Sequence, residues 1–328
     1  MQGSPPTFAR RKAKVETSAR LGGQQNTRDV VDAAAALFGT NDMPNLLGRE
    51  WLRFFRLDPD ADQMAFLANL LAACLFHDWG KANSGMQRVL TGGSSPQLFR
   101  HEHLSVLLIG TEGVDKRVRQ RTDIDWDVVI AAVGSHHLKF GDQEFAEEVP
   151  DEAVRMYVDH DDFRNELLPF ISKRLGLAGS PVFPTQKHWG FTGDATTTFD
   201  LSQLRDDLRD GRLRRLNTGG DARMLSAVRA ALIAADAAGS GLPRTGRKVT
   251  DWIRGQFSEK LTCDAHMIEG VIQGCVDDLT QRGKWSKWNE FQDQCETLPD
   301  RALLLAPCGA GKTLAAWRWI VGRVKTDP

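Results

Sequence analysis

Five of the eight histidines in this sequence fall in three short stretches: His77, His101 with His103, and His136 with His137. His77-Asp78 comes directly after Met64–Phe76, a run that is apolar almost all the way round. A helix of that kind lies in the middle of a larger protein. An imidazole and a carboxylate at its end are costly unless paired, hydrogen-bonded or metal-bound. A His–Asp pair capping the helix meets that demand without a metal, while the following Gly80-Lys81 narrows the pattern toward a site. His136-His137 follows another apolar run, Trp126–Val133. Adjacent residues at a helix end can converge on neighbouring metals; the alternative is one core histidine beside an exposed one.

Asp236 carries more information. Stepping back from it by helical intervals puts Leu232, Val228 and Leu225 on the same face. A carboxylate that continues an apolar stripe breaks a local rule, and such breaks fall mainly at functional sites. A turn aspartate near the helix end is the plainer alternative. Together these residues offer imidazole and carboxylate ligands with no thiolate. That set suits divalent Mn, Fe, Co or Ni rather than a structural zinc. An aspartate can also bridge two ions about 3.5–4 Å apart, the arrangement used in phosphodiester hydrolysis.

A second chemistry-bearing stretch is Ala306-Pro307-Cys308-Gly309-Ala310-Gly311-Lys312-Thr313, a P-loop pattern with alanine at its first glycine position. Gly309 and Gly311 allow loop N–H groups to cradle phosphates, Lys312 reaches them, and Thr313 serves magnesium. The preceding apolar run from Arg301 predicts a short strand, and the loop opens a helix, as at the start of an α/β domain.

The elements that must position these groups are mainly helical. Spacing predicts helices over Thr27–Phe38, Met64–Phe76, His101–Ile109, Trp126–Val133, Ala222–Ala238 and Ala265–Gln281. The stretch from Phe140 to Asp221, rich in proline, glycine and threonine, reads as an insertion with some helix, such as Leu201–Leu216. Arg212, Arg214 and Arg215 there alternate with Asp206, Asp207 and Asp210, which fits a solvated helix at least as well as a phosphate contact. Residues 1–25, with Arg10, Arg11, Lys12 and Lys14, read as a flexible basic arm.

The formal net charge of −1 excludes a global basic field of the histone kind, though not a site whose positive charge comes from bound metal. Five scattered cysteines without a CxxC pair argue for a reducing compartment and against a disulfide scaffold or zinc ribbon. No apolar run approaches the roughly 20 residues of a membrane span, and the polar N-terminus lacks a signal-peptide core. The expectation is a cytoplasmic protein without a membrane role.

His77-Asp78-x-Gly80-Lys81, then Arg100-His101-Glu102-x-x-Ser105, His136-His137 and Ala235-Asp236-x-x-x-Ser240 resemble, in order and spacing, the HD nuclease domain of the CRISPR type I helicase–nuclease family. The resemblance covers about residues 20 to 260, and the P-loop follows where that family's helicase domain begins. It implies an HD-domain helical bundle over 26–260 with an insertion around 140–220, and a linker helix over 261–288. It also implies a truncated start of a RecA-like helicase domain, a short α/β fragment, over 289–328. His77, Asp78 and Asp236 are then expected to hold one metal, with Asp78 bridging to a second held by His101, His136 and His137. Lys81 is expected to contact phosphate or neutralise the transition state. The implied activity is hydrolysis of single-stranded DNA by a monomer recruited by the Cascade ribonucleoprotein complex. ATP and magnesium are expected only in a full-length protein, with no helicase or ATPase activity in this chain by itself. Gln292 or Gln294 takes the place of an adenine-reading glutamine. One departure stands out: Asn26 stands where the family has an N-terminal histidine, so either its weaker amide oxygen substitutes and the first metal is loosely held, or Gln24 or Gln25 takes the ligand's place. Two other readings keep the residues but change the role: an HD phosphohydrolase acting on nucleotides, and a non-catalytic module that docks on a ribonucleoprotein.

Overall fold

The computed structural model describes residues 23–40, 42–90, 99–137, 152–207, 221–257, 264–307 and 309–326. The basic arm up to residue 22, the arginine cluster at 212–215 and Cys308 lie outside them. The chain divides into two compact units, Met1–Gln256 and Phe257–Pro328.

The helices of the first unit are α1 (Gly23–Phe38), α2 (Leu46–Phe54), α3 (Gln63–Phe76), α4 (Ser84–Leu90), α5 (His101–Gly110), α6 (Glu112–Val118), α7 (Trp126–Gly134), α8 (Leu168–Leu175), α9 (Ser202–Asp207), α10 (Asp221–Gly241) and α11 (Val249–Phe257). α10 packs on α1, α3 and α7; α3 also packs on α1 and α7, and α5 on α7. α3 sits in the middle with ten buried residues, as its unbroken apolar composition requires. Its one internal polar residue, Asn69, is buried but satisfied: its side-chain oxygen accepts the Asp125 N–H at 2.8 Å, where the chain enters α7. Asp125 then caps α7 by accepting from the N–H groups of Asp127 and Val128.

Two glycines set the close approaches. A β-carbon at Gly239 would fall 2.7 Å from the Val30 backbone, so glycine lets α10 lie against α1. A β-carbon at Gly80 would meet the His101 carbonyl oxygen at 1.9 Å. There the 3-10 turn Trp79–Lys81 presses on α5, and Ser105 fastens the contact by accepting the Gly80 N–H at 2.8 Å.

The 152–207 stretch holds more than helix. β3 (Val154–Arg155) pairs antiparallel with β4 (His188–Gly190), which pairs parallel with β5 (Thr198–Asp200). A two-residue hairpin, β1 (Gly39–Thr40) with β2 (Met43–Pro44), follows α1. Of the helix expected over 201–216, only Ser202–Asp207 is described. α10 is, by length and composition alone, apolar enough to cross a membrane, contrary to the sequence estimate that no run approaches that length. Its apolar face, Ala227, Val228, Ala231, Leu232 and Ala235, is buried among the helices it packs on.

In the second unit, α12 (Ala265–Gln281) and α13 (Glu290–Gln294) both pack on α14 (Lys312–Thr326), so the helix expected to act as a linker lies in this unit's own core. The strand expected from Arg301 is absent: residues 302–307 carry no sheet pairing among the described residues. Leu303 and Leu305 remain 84% and 82% exposed. A strand exists only through its neighbours, and the described residues of this unit offer none.

Candidate metal centre

Four helices and one turn converge on a buried cluster of nitrogen and oxygen atoms. α3 delivers His77 at its C-cap and Asp78 just beyond, where the 3-10 turn begins. α5 begins with His101, α7 leads into His136 and His137, and α10 carries Asp236 five residues before its end. Two groups of possible ligands result: His77 with Asp78 and Asp236, and His101 with His136 and His137, each within 4.8 Å. Every metal ligand expected from the sequence, apart from Asn26, falls in one of the two. His136 is buried and His137 exposed, as a core histidine beside a surface one would be, and both rings lie beside that of His101. His103 belongs to neither group.

Asp78 joins the groups. His77 Nε2 lies 3.3 Å from Asp78 Oδ2 and 3.6 Å from Asp236 Oδ1, and His101 Nε2 lies 3.6 Å from Asp78 Oδ1. Adjacent ligands on one ion, with bonds near 2.1 Å, stand about 3.0–3.6 Å apart. Asn26 sits at the edge, its amide nitrogen 2.8 Å from Asp78 Oδ2. The Lys81 ammonium lies 2.6 Å from the same Asp78 oxygen, with its side chain partly exposed.

The histidines are oriented by their other nitrogens. His77 Nδ1 is 2.9 Å from the Cys74 carbonyl and His136 Nδ1 is 2.6 Å from the Val133 carbonyl. A carbonyl only accepts, so each Nδ1 carries a hydrogen; the neutral His136 ring then presents an Nε2 lone pair, and His77 does so once its Nε2 proton is given up. His101 Nδ1 instead faces a carboxylate, Glu102 Oε2 at 3.3 Å, whose other oxygen accepts from Arg100 Nε at 3.0 Å. Glu102 is buried. Arg229 on α10 donates to the Ser135 carbonyl at 2.9 Å and fixes the backbone before His136.

Charge and burial prepare the two groups differently. Burial pushes His136 down to about 3 and His101 to about 4, the Asp78 carboxylate only partly opposing it for His101. Both rings are neutral at ordinary pH, the form that binds metal. Burial also pushes His77 down, but Asp78 and Asp236 overcome it and hold the ring at about 9. Burial works against ionised Asp236 too, yet His77 and the Ser240 hydroxyl hold it down at about 2. A positive charge is therefore favoured at the centre of the His77 group.

A test of fit lies in the unsatisfied atoms. Eight buried side-chain polar atoms among the described residues lack a hydrogen-bond partner, and four are His77 Nε2, Asp78 Oδ1, His101 Nε2 and His136 Nε2. Buried polar atoms without partners are rare, and these four are the atoms a cation would engage. The donor set fits a divalent metal. Cys74, nearby and buried, has its thiol pushed up by burial and offers no thiolate.

The resemblance includes Glu102 and Ser240 in its motifs without giving them a role, and sequence reasoning gave none to Asn69 or Arg229. Ser240 was detectable, since it stands one helical turn from Asp236 on the same face. Glu102 was not, because an acidic residue in a first helical turn reads as ordinary dipole complement.

The P-loop glycines take left-handed backbone conformations, Gly309 at φ 81° and Gly311 at φ 83°. Lys312 Nζ donates to the Ala306 and Pro307 carbonyls at 2.8 and 2.9 Å, while Thr313 is exposed on the first turn of α14. Gln292 is buried and donates to the Gly311 carbonyl at 2.9 Å; Gln294 instead donates to Glu290.

No family profile and no solved structure matches the chain. A Myxococcus xanthus (strain DK1622) protein named "Putative CRISPR-associated nuclease/helicase Cas3" is 32% identical to it over 282 residues, 83% of this chain. The chain spans 35% of the length of that curated relative. With that identity across most of its length, the chain belongs to the Cas3 family of CRISPR-associated nuclease/helicases.

Proposed function

We propose that this chain is a metal-dependent HD nuclease that hydrolyses phosphodiester bonds of single-stranded DNA in CRISPR type I interference, recruited by Cascade. The observation that carries the reading is the pair of ligand groups joined through the two oxygens of Asp78. His77, Asp78 and Asp236 would hold one divalent ion, and His101, His136 and His137 with Asp78 a second, drawn from Mn, Fe, Co or Ni. Such ions supply Lewis acidity and activate water near neutral pH.

The protein's own groups hold the geometry. The Cys74 and Val133 carbonyls and the Glu102 carboxylate fix the imidazoles. Lys81 stands beside Asp78 with its side chain about a third exposed, where it balances the carboxylate and meets an incoming phosphate. Gly309, Gly311, Lys312 and Thr313 are in this reading the positions at which ATP and magnesium would bind for helicase action, an activity not assigned to the described units by themselves. A cytoplasmic monomer is the form in which the chain would work.

The test is direct. Purified chain is assayed for bound metal, then incubated with single-stranded DNA and Mn, Co or Ni, with and without chelator. Metal-dependent cleavage abolished by chelator is expected. No cleavage with any metal sinks the nuclease. Hydrolysis of mononucleotides in place of DNA points to a nucleotide phosphohydrolase, and Cascade binding without turnover to a docking module.

A further inference from the structure

The two ligand groups differ in one neighbour, Asn26, and its hydrogen bonds do not balance as placed. Ser240 Oγ lies 2.9 Å from Asp236 Oδ1 and 3.0 Å from Asn26 Oδ1. A hydroxyl has one hydrogen, and both of those neighbours are acceptors. One of the two contacts is then an oxygen–oxygen approach with no hydrogen of its own.

Turning the Asn26 carboxamide half a turn about its last bond exchanges its oxygen and nitrogen, two ends of nearly the same shape. The amide NH2 then donates to Ser240 Oγ, and Ser240 donates to Asp236 Oδ1, so each contact has one donor and one acceptor. The amide oxygen takes the position 2.8 Å from Asp78 Oδ2. Two oxygens that close repel unless a cation lies against both. That separation is also near the roughly 3 Å between adjacent oxygen ligands of one ion. His77 Nε2 and Asp236 Oδ1 stand around the same position, and the Lys81 ammonium, 2.6 Å from Asp78 Oδ2, balances that carboxylate's charge without ligating as an oxygen or imidazole would.

We infer that Asn26 is a metal ligand through its carboxamide oxygen, turned over by the cation it helps to bind and held in that orientation by Ser240. The inference rests on the reading of these groups as metal sites. It makes the two sites chemically unequal: one imidazole and three oxygens at the His77 group, three imidazoles and one carboxylate oxygen at the His101 group. Oxygen-rich surroundings favour harder ions such as Mn2+, and imidazole-rich ones Co2+ or Ni2+.

Metal-stripped chain is titrated with Mn2+ and, separately, Ni2+ by calorimetry, and bound metal is counted after desalting. Wild type is compared with Asn26→Leu, which keeps the size but removes the oxygen, and Asn26→Asp, which restores an oxygen. Two Mn2+ per wild-type chain are expected. One of them weakens by at least about tenfold in Asn26→Leu and is retained in Asn26→Asp, while Ni2+ binding at the His101 group stays unchanged in both. Two Mn2+ bound by Asn26→Leu with unchanged or greater affinity overturns the inference, since the amide then only donates to Asp78. Loss of the same equivalent in Asn26→Asp overturns it as well. A wild type that binds no metal brings down the nuclease reading itself, an outcome distinct from either.

Discussion

The histidine–aspartate cluster of the first unit and the phosphate loop of the second both gather polar groups of the kind that bind ligands, but their internal balance is opposite. In the first, buried nitrogens and oxygens are aimed at one another and left unsatisfied. In the second, the Lys312 ammonium is exposed and already donates to two carbonyls of its own loop. An unsatisfied buried atom costs about 1–3 kcal/mol, so several together mark a place where the protein gives up stability for a ligand. A lysine closed onto its own backbone costs nothing comparable. The contrast separates a cluster of unsatisfied ligand-type atoms from a loop whose flanking residues pair in no sheet among the described residues.

The largest effect that would break this contrast is expected at Asp78. Asp78→Ala removes an oxygen from each ligand group, so metal content should fall at both and cleavage of single-stranded DNA by at least about a hundredfold. Wild-type metal content in that variant would end the case for a shared carboxylate. A smaller effect is expected at Glu102. Glu102→Gln leaves an acceptor for His101 but without charge, and Ni2+ affinity should drop about 10-fold, read by calorimetry; unchanged affinity would make the carboxylate a packing partner only.

In the second unit, Lys325 at 2.8 Å and Arg318 at 3.2 Å hold the Glu296 carboxyl below its ordinary 4.5. A depressed folded value stabilises the unit above pH 4.5, and the gain is lost as pH falls through the folded value. Solvent screening limits it to no more than about 1 kcal/mol. The protection of α14 amides relative to their intrinsic exchange rates should therefore fall between pH 5 and 3 in the wild type, and less so in Glu296→Gln. The smallest expected signal is from ATP: calorimetry should detect no low-micromolar binding to this chain, and a clear binding isotherm would remove the contrast.

What could be read from the sequence follows from where the information resides. α5, α7 and α12 were legible because a helix satisfies its hydrogen bonds within itself, and its apolar positions show which side is covered. Asp236 was legible as an interruption of such a side. The expected strand at 301–306 failed because strand pairing belongs to two segments and only one was visible. β3, β4 and β5, each of two or three residues, are too short to show an alternation. Asn69 interrupts the apolar run Met64–Phe76, and only the fold reveals the Asp125 N–H that it serves. Asn26 was legible as a departure from a resemblance, but its competing hydrogen bonds with Ser240 appear only when residues 214 positions apart meet.

That last meeting bears on how the protein is made. Gly239 lets α10 settle on α1, and only then do Asp236 and Ser240 reach the groups set out by α3 and α5. A ribosome adding about 5–20 residues per second needs on the order of 10–30 s to pass from Asp78 to Asp236 and cannot complete the centre earlier. A nascent chain thus carries these histidines through much of the synthesis of this unit without the carboxylate that closes the cluster, which is complete only once α10 has been made.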